Sequence, residues 1–73
     1  MEEEIKLMLG IVELTNTYKK LKDLNFSGCV LTDVEDMIDD LMGLVENKEI
    51  KNFLLKDIDY DYEKDKFYVI ERG

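Results

Sequence analysis

The side chains of this chain that could take part in chemistry are almost all carboxylates. Histidine is absent, and with it the commonest general base and metal ligand of proteins. The single cysteine, Cys29, has no basic residue near it in sequence that would favour reactivity, so we expect a buried structural cysteine. Because no nucleophile, base and oxyanion donor occur together in a recognisable pattern, the sequence predicts no enzyme activity, no metal site and no cofactor.

The triplet Asp57, Asp59 and Asp61 has the D-x-D-x-D spacing of a calcium-binding loop. Such a loop needs glycine at its sixth position and a bidentate glutamate at its twelfth, and here those positions hold Tyr62 and Tyr68. The residues between the aspartates are apolar or aromatic, and strict alternation of this kind is typical of a half-buried strand. The triplet therefore predicts a strand rather than a calcium site.

The densest group of carboxylates lies between residues 33 and 40, where five acidic residues occur without a basic one. The formal net charge is −8, and residues 25–49 hold seven carboxylates against one lysine. Apolar residues of this segment recur at helical spacing, which places the carboxylates on the opposite face of a helix. A concentrated negative face favours a basic protein surface as partner and repels the phosphates of nucleic acids. The alternative is a face that only contacts water.

Helical periodicity covers most of the first 47 residues. Apolar residues recur at intervals of four and three over Glu2–Leu24, with glutamates in the first turn and lysines in the last turns, as the helix dipole favours. The segment Asn25–Leu31 breaks the period and predicts a loop. Thr32 stands three residues before Glu35, the spacing of a capping box, so we expect a second helix from Thr32 to a stop near Asn47.

The last third of the chain changes period. Lys48–Lys56 fits either a short helix or the beginning of a strand, and the helix is slightly favoured. Residues 57–63 alternate strictly, and residues 67–70 are rich in strand formers. We therefore expect an antiparallel hairpin that turns at Lys64 and Asp65.

The register implied by this turn pairs Tyr62 with Phe67 and Tyr60 with Val69 on the inner side of the hairpin. The residues expected on the outer side are Asp59, Asp61, Tyr68 and Ile70. Apolar groups on a face that otherwise carries carboxylates suggest a patch that another chain covers.

These elements predict an α+β fold in which two or three helices cover a small antiparallel β-hairpin or three-stranded sheet, in the order α-α-(α)-β-β. A chain of 73 residues forms a single domain, residues 1–73, and buries only about 60% of its unfolded surface. A second copy would add stability, and the apolar row of the first helix resembles a coiled-coil seam, so we expect a homodimer. The acidic first residues and the lack of a long apolar run indicate a cytoplasmic protein.

The predicted function is that of a non-enzymatic interaction module whose second helix engages a basic partner. In size, acidity and lack of catalytic residues the chain resembles the small inhibitor proteins of bacteriophages and mobile elements, some of which mimic DNA. The resemblance is to a type of protein and implies a nucleic-acid-binding partner, without direct contact to nucleic acid or membrane. The residues expected at the partner interface are Asp33, Glu35, Asp36, Asp39, Asp40, Tyr68 and Ile70.

Two alternative functions fit the same elements. Three helices followed by a hairpin is also the approximate order of a winged helix, which would make the chain a small DNA-binding regulator. The residues of its recognition helix would be Lys48, Lys51, Asn52 and Lys56. The net charge of −8 opposes the approach of duplex DNA in this case. The second alternative is a structural homodimer that serves as a small adaptor.

Overall fold

The computed structural model describes residues 2–70 and contains three helices followed by a two-stranded antiparallel sheet. The elements are α1 (Glu2–Asp23), α2 (Gly28–Met42), α3 (Lys48–Leu54), β1 (Ile58–Asp61) and β2 (Lys66–Val69). The predicted α+β class and order of elements are confirmed, with a short third helix and a sheet of two strands. Within the described residues, no helix is long and apolar enough to cross a membrane.

α1 covers nearly the whole segment that the periodicity predicted. Asn25 follows it in the left-handed conformation, with a φ of 62°. The Phe26 amide donates to the Leu21 carbonyl at 3.1 Å and the Asn25 amide to the Lys22 carbonyl at 3.0 Å, which are the two hydrogen bonds of a Schellman motif. This tight reversal directs the chain back, so that α2 packs against α1 as an antiparallel helical hairpin.

α2 begins at Gly28, four residues before its predicted start at Thr32. The predicted loop Asn25–Leu31 was therefore wrong over its second half. Ser27 is the N-cap residue, with extended backbone and no side-chain capping hydrogen bond. Leu31 continues the apolar stripe of α2 and packs against the core, and this burial extends the helix beyond the capping signal.

The prediction that α2 ends near Asn47 was wrong, because α2 already ends at Met42. Asn47 is instead the N-cap of α3. Its side-chain oxygen accepts hydrogen bonds from the amides of Glu49 at 2.9 Å and Ile50 at 3.2 Å. The same residue type therefore supports one helix end at Asn25 and one helix start at Asn47.

Two polar contacts attach the second half of the chain to α1. Near its N-terminus, the carboxylate of Glu4 accepts hydrogen bonds from the amides of Glu46 at 2.9 Å and Asn47 at 3.1 Å. Near its C-terminus, Lys19 pairs with Asp57 at 3.4 Å. α3 therefore runs beside α1 from one end towards the other.

β1 and β2 form the expected hairpin, but their register differs from the prediction by two residues. Tyr60 pairs with Phe67 and Ile58 with Val69, whereas Tyr62 was expected opposite Phe67. A displacement of two residues keeps each paired side chain on its predicted face. It lengthens the turn to four residues and leaves Tyr62 outside the ladder.

Two aspartates set this longer turn. The carboxylate of Asp61 accepts hydrogen bonds from the amides of Glu63 at 2.9 Å and Lys64 at 3.2 Å, as in an Asx-turn. Asp65 has a φ of 55° and returns the chain to β2. The prediction placed the turn on Lys64 and Asp65 alone and did not take account of the hydrogen bonds that Asp61 makes.

The core lies between the helix pair and the inner face of the hairpin. Its buried apolar residues come from all five elements and one connection: Ile11, Tyr18, Ile38, Met42, Val45, Leu54, Ile58 and Val69. The predicted burial of Cys29 was wrong. Cys29 is exposed in the first turn of α2, on the side of the helix away from Ile38. Met37 of α2 is also exposed, at 53%.

Candidate interaction surfaces

Two carboxylates of α2 contact the backbone of β2. The amide of Phe67 donates to Oδ1 of Asp39 at 2.9 Å, and the amide of Val69 donates to Oε2 of Glu35 at 3.3 Å. Both hydrogen bonds are part-buried. Since an unpaired amide costs free energy where water is excluded, these side chains complete the hydrogen bonding at the outer edge of the sheet.

The spacing of these residues explains why one helix can serve one strand. Residues four apart in a helix are about 6.0 Å apart along its axis, and residues two apart in a strand are about 6.6 Å apart. Glu35 and Asp39 therefore align with Val69 and Phe67 when the helix and the strand run in opposite directions. The two spacings match for any helix and strand that lie antiparallel, so the sequence alone does not predict that α2 and β2 are the elements in contact.

A third carboxylate of α2 is engaged by a lysine of the same chain. Asp36 forms an ion pair and a hydrogen bond with Lys66, the first residue of β2. The hydrogen bond raises the pKa of Lys66 above its usual 10.5. The positive charge of Lys66 offsets the negative charge of Asp36.

The five acidic residues of α2 do not form the contiguous outward ridge that we expected. Glu35 and Asp39 are half-buried against β2, and Asp36 is paired with a lysine. Asp33 and Asp40 are exposed. The reason is that a β-strand edge packs on this flank of the helix and needs acceptors for its amides. The sequence showed the helical face correctly but not which element would lie against it.

The outer face of the hairpin carries Tyr68, as predicted. Tyr68 is 37% exposed, and its hydroxyl donates to the Asp59 carboxylate at 3.5 Å. The negative charge of Asp59 raises the pKa of this hydroxyl. Ile70 follows β2 and is half-buried, and its amide donates to the Asp57 carbonyl at 2.9 Å. Of these two residues, Tyr68 therefore offers more surface to a partner.

The aromatic residues of the hairpin form a cluster that the sequence did not single out as a site. The ring of Tyr60 contacts those of Tyr62 and Phe67 edge to face, with ring centroids 5.0 Å apart in each pair. The Tyr60 hydroxyl donates to the Asp65 carboxylate. Tyr62 is 88% exposed, so the turn presents an aromatic ring to solvent.

An open cleft of about 570 Å³ lies between the helices and the hairpin. Its walls hold four tyrosines, three carboxylates and two lysines, of which Lys66 is paired with Asp36. We call it the tyrosine cleft: Tyr18, Tyr60, Tyr62, Tyr68, Glu35, Asp61, Glu63, Lys64, Lys66 and Val69. Burial, and then the negative charge of Glu35, raise the pKa of Tyr18. The alternation of tyrosines and carboxylates over residues 59–63 was the signal available for this surface.

No protein family model, curated protein or solved structure matches this chain. Its function is therefore argued from the chemistry of its surfaces. Among residues 2–70, no group of three or more potential ligands could hold a metal ion. Tyrosine rings attract cations through their quadrupole, and carboxylates attract them through charge. The tyrosine cleft thus has the chemistry of a site for basic side chains.

Proposed function

We propose that this protein is a non-enzymatic interaction module that binds a basic segment of a partner protein in the tyrosine cleft. The observation that carries the proposal is the environment of Tyr62. Its ring is 88% exposed, stands between Asp61 and Glu63 in the chain, and forms part of the cleft wall. Tyrosine is among the residue types that contribute most free energy at protein interfaces.

The hairpin surrounds this ring with negative charge. Residues 57–66 hold five carboxylates against two lysines, and one of those lysines, Lys66, is paired with Asp36. Carboxylates at alternate positions of a strand are about 6.6 Å apart. A partner with lysine or arginine at similar spacing would gain charge-assisted hydrogen bonds and cation–π contacts. Such association is fast and weakens as salt screens the charges.

This proposal moves the docking surface from α2 to the hairpin. Glu35 and Asp39 accept hydrogen bonds from the amides of β2, so they are less available to a partner than the carboxylates of the hairpin. Asp33 and Asp40 are exposed and add to the negative field that attracts a basic partner. Of the predicted interface residues, Glu35 and Tyr68 line the tyrosine cleft.

The more specific form of the proposal is inhibition of a nucleic-acid-binding protein in the cytoplasm. The basic segment would then be the surface with which the partner holds phosphates. The carboxylates of Asp59 and Asp61, at alternate positions of β1, would take the place of two of those phosphates, as in a DNA mimic of the phage-inhibitor type, whereas Asp57 is paired with Lys19. Support for this form comes from the charge and spacing of these residues.

The alternative of a DNA-binding regulator has less support. α3 has only seven residues, which is two turns. The Lys51 ammonium lies 5.8 Å from the centroid of the Phe67 ring and the Lys56 ammonium lies 5.5 Å from that of Phe53. Two of the lysines expected to contact DNA are therefore directed to aromatic rings of their own chain.

Titration of the protein with a short peptide rich in arginine and lysine, followed by the NMR signals of the backbone amides, tests the proposal. We expect shifts concentrated in residues 58–69 and an affinity that falls as salt is added. Tyr62→Ala should raise the dissociation constant about tenfold or more, because it removes an aromatic anchor. Glu63→Gln should weaken binding less, since one exposed charge is removed.

Two matched variants serve as controls. Glu13→Gln removes the same charge from an exposed position of α1, and Leu24→Ala removes an exposed apolar side chain after α1. Both should leave the affinity unchanged. Equal effects of the cleft variants and the controls would contradict a site in the tyrosine cleft. Shifts confined to Asp33, Asp40 and their neighbours would show that the peptide binds α2 and would also contradict a site in the tyrosine cleft.

A further inference from the structure

The tyrosine cleft presents one exposed aromatic ring beside a ring that is held in place. The Tyr60 ring meets those of Tyr62 and Phe67 edge to face, at interplanar angles of 74° and 73°, and its hydroxyl donates to Asp65. These contacts fix the position of Tyr60. Tyr62 stands at nearly a right angle to it and is 88% exposed. A planar group can therefore stack on Tyr62 without displacing a core residue.

Two carboxylates of the cleft wall are available to a partner. Asp61 accepts the amides of Glu63 and Lys64 through Oδ1, which leaves Oδ2 for a further hydrogen bond. The side chain of Glu63 is exposed. The third carboxylate of the wall, Glu35, already accepts the amide of Val69. The acceptors that a partner can use thus lie on either side of Tyr62 in the chain.

The lysines of the cleft wall do not lie on its tyrosine rings. Lys66 is paired with Asp36. Within residues 2–70, the lysines that lie over aromatic rings are Lys51 and Lys56, and their rings are phenylalanines outside the cleft wall. An ammonium is strongly hydrated, so it gains little when it leaves water for an exposed ring. Lys64 and Lys66 agree with this expectation, since both line the cleft and neither covers a tyrosine.

We propose that the tyrosine cleft selects arginine over lysine in the basic segment of its partner. A guanidinium is planar and less strongly hydrated than an ammonium, so it stacks on an exposed tyrosine ring at a smaller cost. While it is stacked, the N–H groups at its edge can donate two parallel hydrogen bonds to one carboxylate. Tyr62 supplies the ring, and Asp61 or Glu63 supplies the carboxylate. This inference rests on the proposed function, because it concerns the same site.

Charge alone does not distinguish the two side chains. The field of the cleft's three carboxylates and two lysines acts equally on arginine and lysine, since each carries one positive charge. The preference therefore depends on the ring and on the paired hydrogen bonds. Residues 2–70 contain no arginine, so no guanidinium of this part of the chain competes for the cleft; the single arginine of the sequence is Arg72.

Two peptides of the same length and sequence, with arginine or lysine at every basic position, test the preference. Their dissociation constants are measured by NMR titration of the full chain at low and high salt. We expect the arginine peptide to bind about fivefold or more tightly. Added salt should weaken both peptides and leave their ratio unchanged, because screening acts on the charge that they share.

Substitutions at one ring test whether stacking causes the preference. Tyr62→Leu keeps an apolar side chain without an aromatic face, and it should bring the two dissociation constants to within about twofold of each other. Tyr62→Phe keeps the ring and should keep the preference. Phe26→Leu removes an aromatic ring that is 48% exposed outside the cleft wall, and it should change neither constant. Circular dichroism establishes that the three variants keep their helices.

A third peptide, with trimethyllysine in place of arginine, separates stacking from hydrogen bonding. Its cation is attracted to aromatic rings but has no N–H to donate. It should bind more weakly than the arginine peptide, and tighter binding would overturn the role given to the carboxylates.

The preference itself is overturned if the arginine and lysine peptides bind the cleft equally, or if Tyr62→Leu leaves their ratio intact. In either case the cleft would still be a site for basic side chains. If neither peptide shifts the signals of residues 58–69, the proposed function is contradicted, and this inference with it.

Discussion

The hydroxyl of Tyr18, on α1, lies close to the carboxylate of Glu35 on α2. Its ring belongs to the core, and burial together with the charge of Glu35 raises the pKa of its hydroxyl above 10.0. A raised pKa means that the folded protein holds this proton more tightly than the unfolded chain does. The stability that results is complete below pH 10 and is lost as the pH rises through the pKa of the folded state.

Tyr18→Phe should therefore flatten the loss of stability at alkaline pH, because phenylalanine has no proton to release. Urea unfolding measured from neutral pH to above pH 10 gives the slope. Some slope should remain in the variant, since the pKa of Lys66 is raised by its hydrogen bond with Asp36. Tyr62→Phe, at an 88% exposed ring, is the control and should match the parent protein. An unchanged slope in Tyr18→Phe would contradict the account of this residue.

At the scale of single residues, the sequence predicted which face of an element a side chain occupies better than which group it contacts. Alternation correctly put Tyr68 on the outer face of the hairpin, because the period of a strand fixes the face of each residue. It could not show that Asp39 would accept the amide of Phe67, 28 residues away. Cys29 was placed wrongly because its apolar character gave no information about the start of α2.

At the scale of elements, the end of α1 depends on one asparagine. Asn25 holds the left-handed conformation of the Schellman motif, which costs about 1 to 2 kcal/mol for an ordinary L-residue and less for asparagine. Asn25→Ala should therefore lower the free energy of unfolding by about 1 kcal/mol. Asn16→Ala is the matched control within α1, where alanine is the better helix former, and it should be neutral or slightly stabilising. Urea denaturation distinguishes the two, and equal losses would argue against the motif.

Periodicity predicted the class and order of the elements and slightly favoured the third helix, but several of their ends were wrong. Gly28–Leu31 joined α2 because Leu31 gains burial there, which a capping signal at Thr32 does not describe. The register of the hairpin followed from the hydrogen bonds of Asp61 rather than from the shortest turn. In each case a contact made only in the folded chain decided between two locally acceptable choices.

At the scale of the whole molecule, the surface beside the hairpin combines tyrosines with carboxylates and lysines. The sequence predicted an acidic protein with a partner-binding surface, and that expectation remains a proposal. That surface was expected on α2, and the sequence alone did not show that β2 packs against the same helix. The acidic helix is in part a support for the sheet.

The most direct test of this account compares two adjacent residues of α2. Asp39→Ala removes the acceptor of a part-buried amide, whereas Asp40→Ala removes the same group from an exposed position of the same helix. Measured by urea unfolding at neutral pH, Asp39→Ala should lower the free energy of unfolding by about 1 to 3 kcal/mol. Asp40→Ala should be neutral or slightly stabilising, because it relieves repulsion between carboxylates. Equal effects of the two substitutions would contradict the claim that the carboxylates of α2 have separate roles.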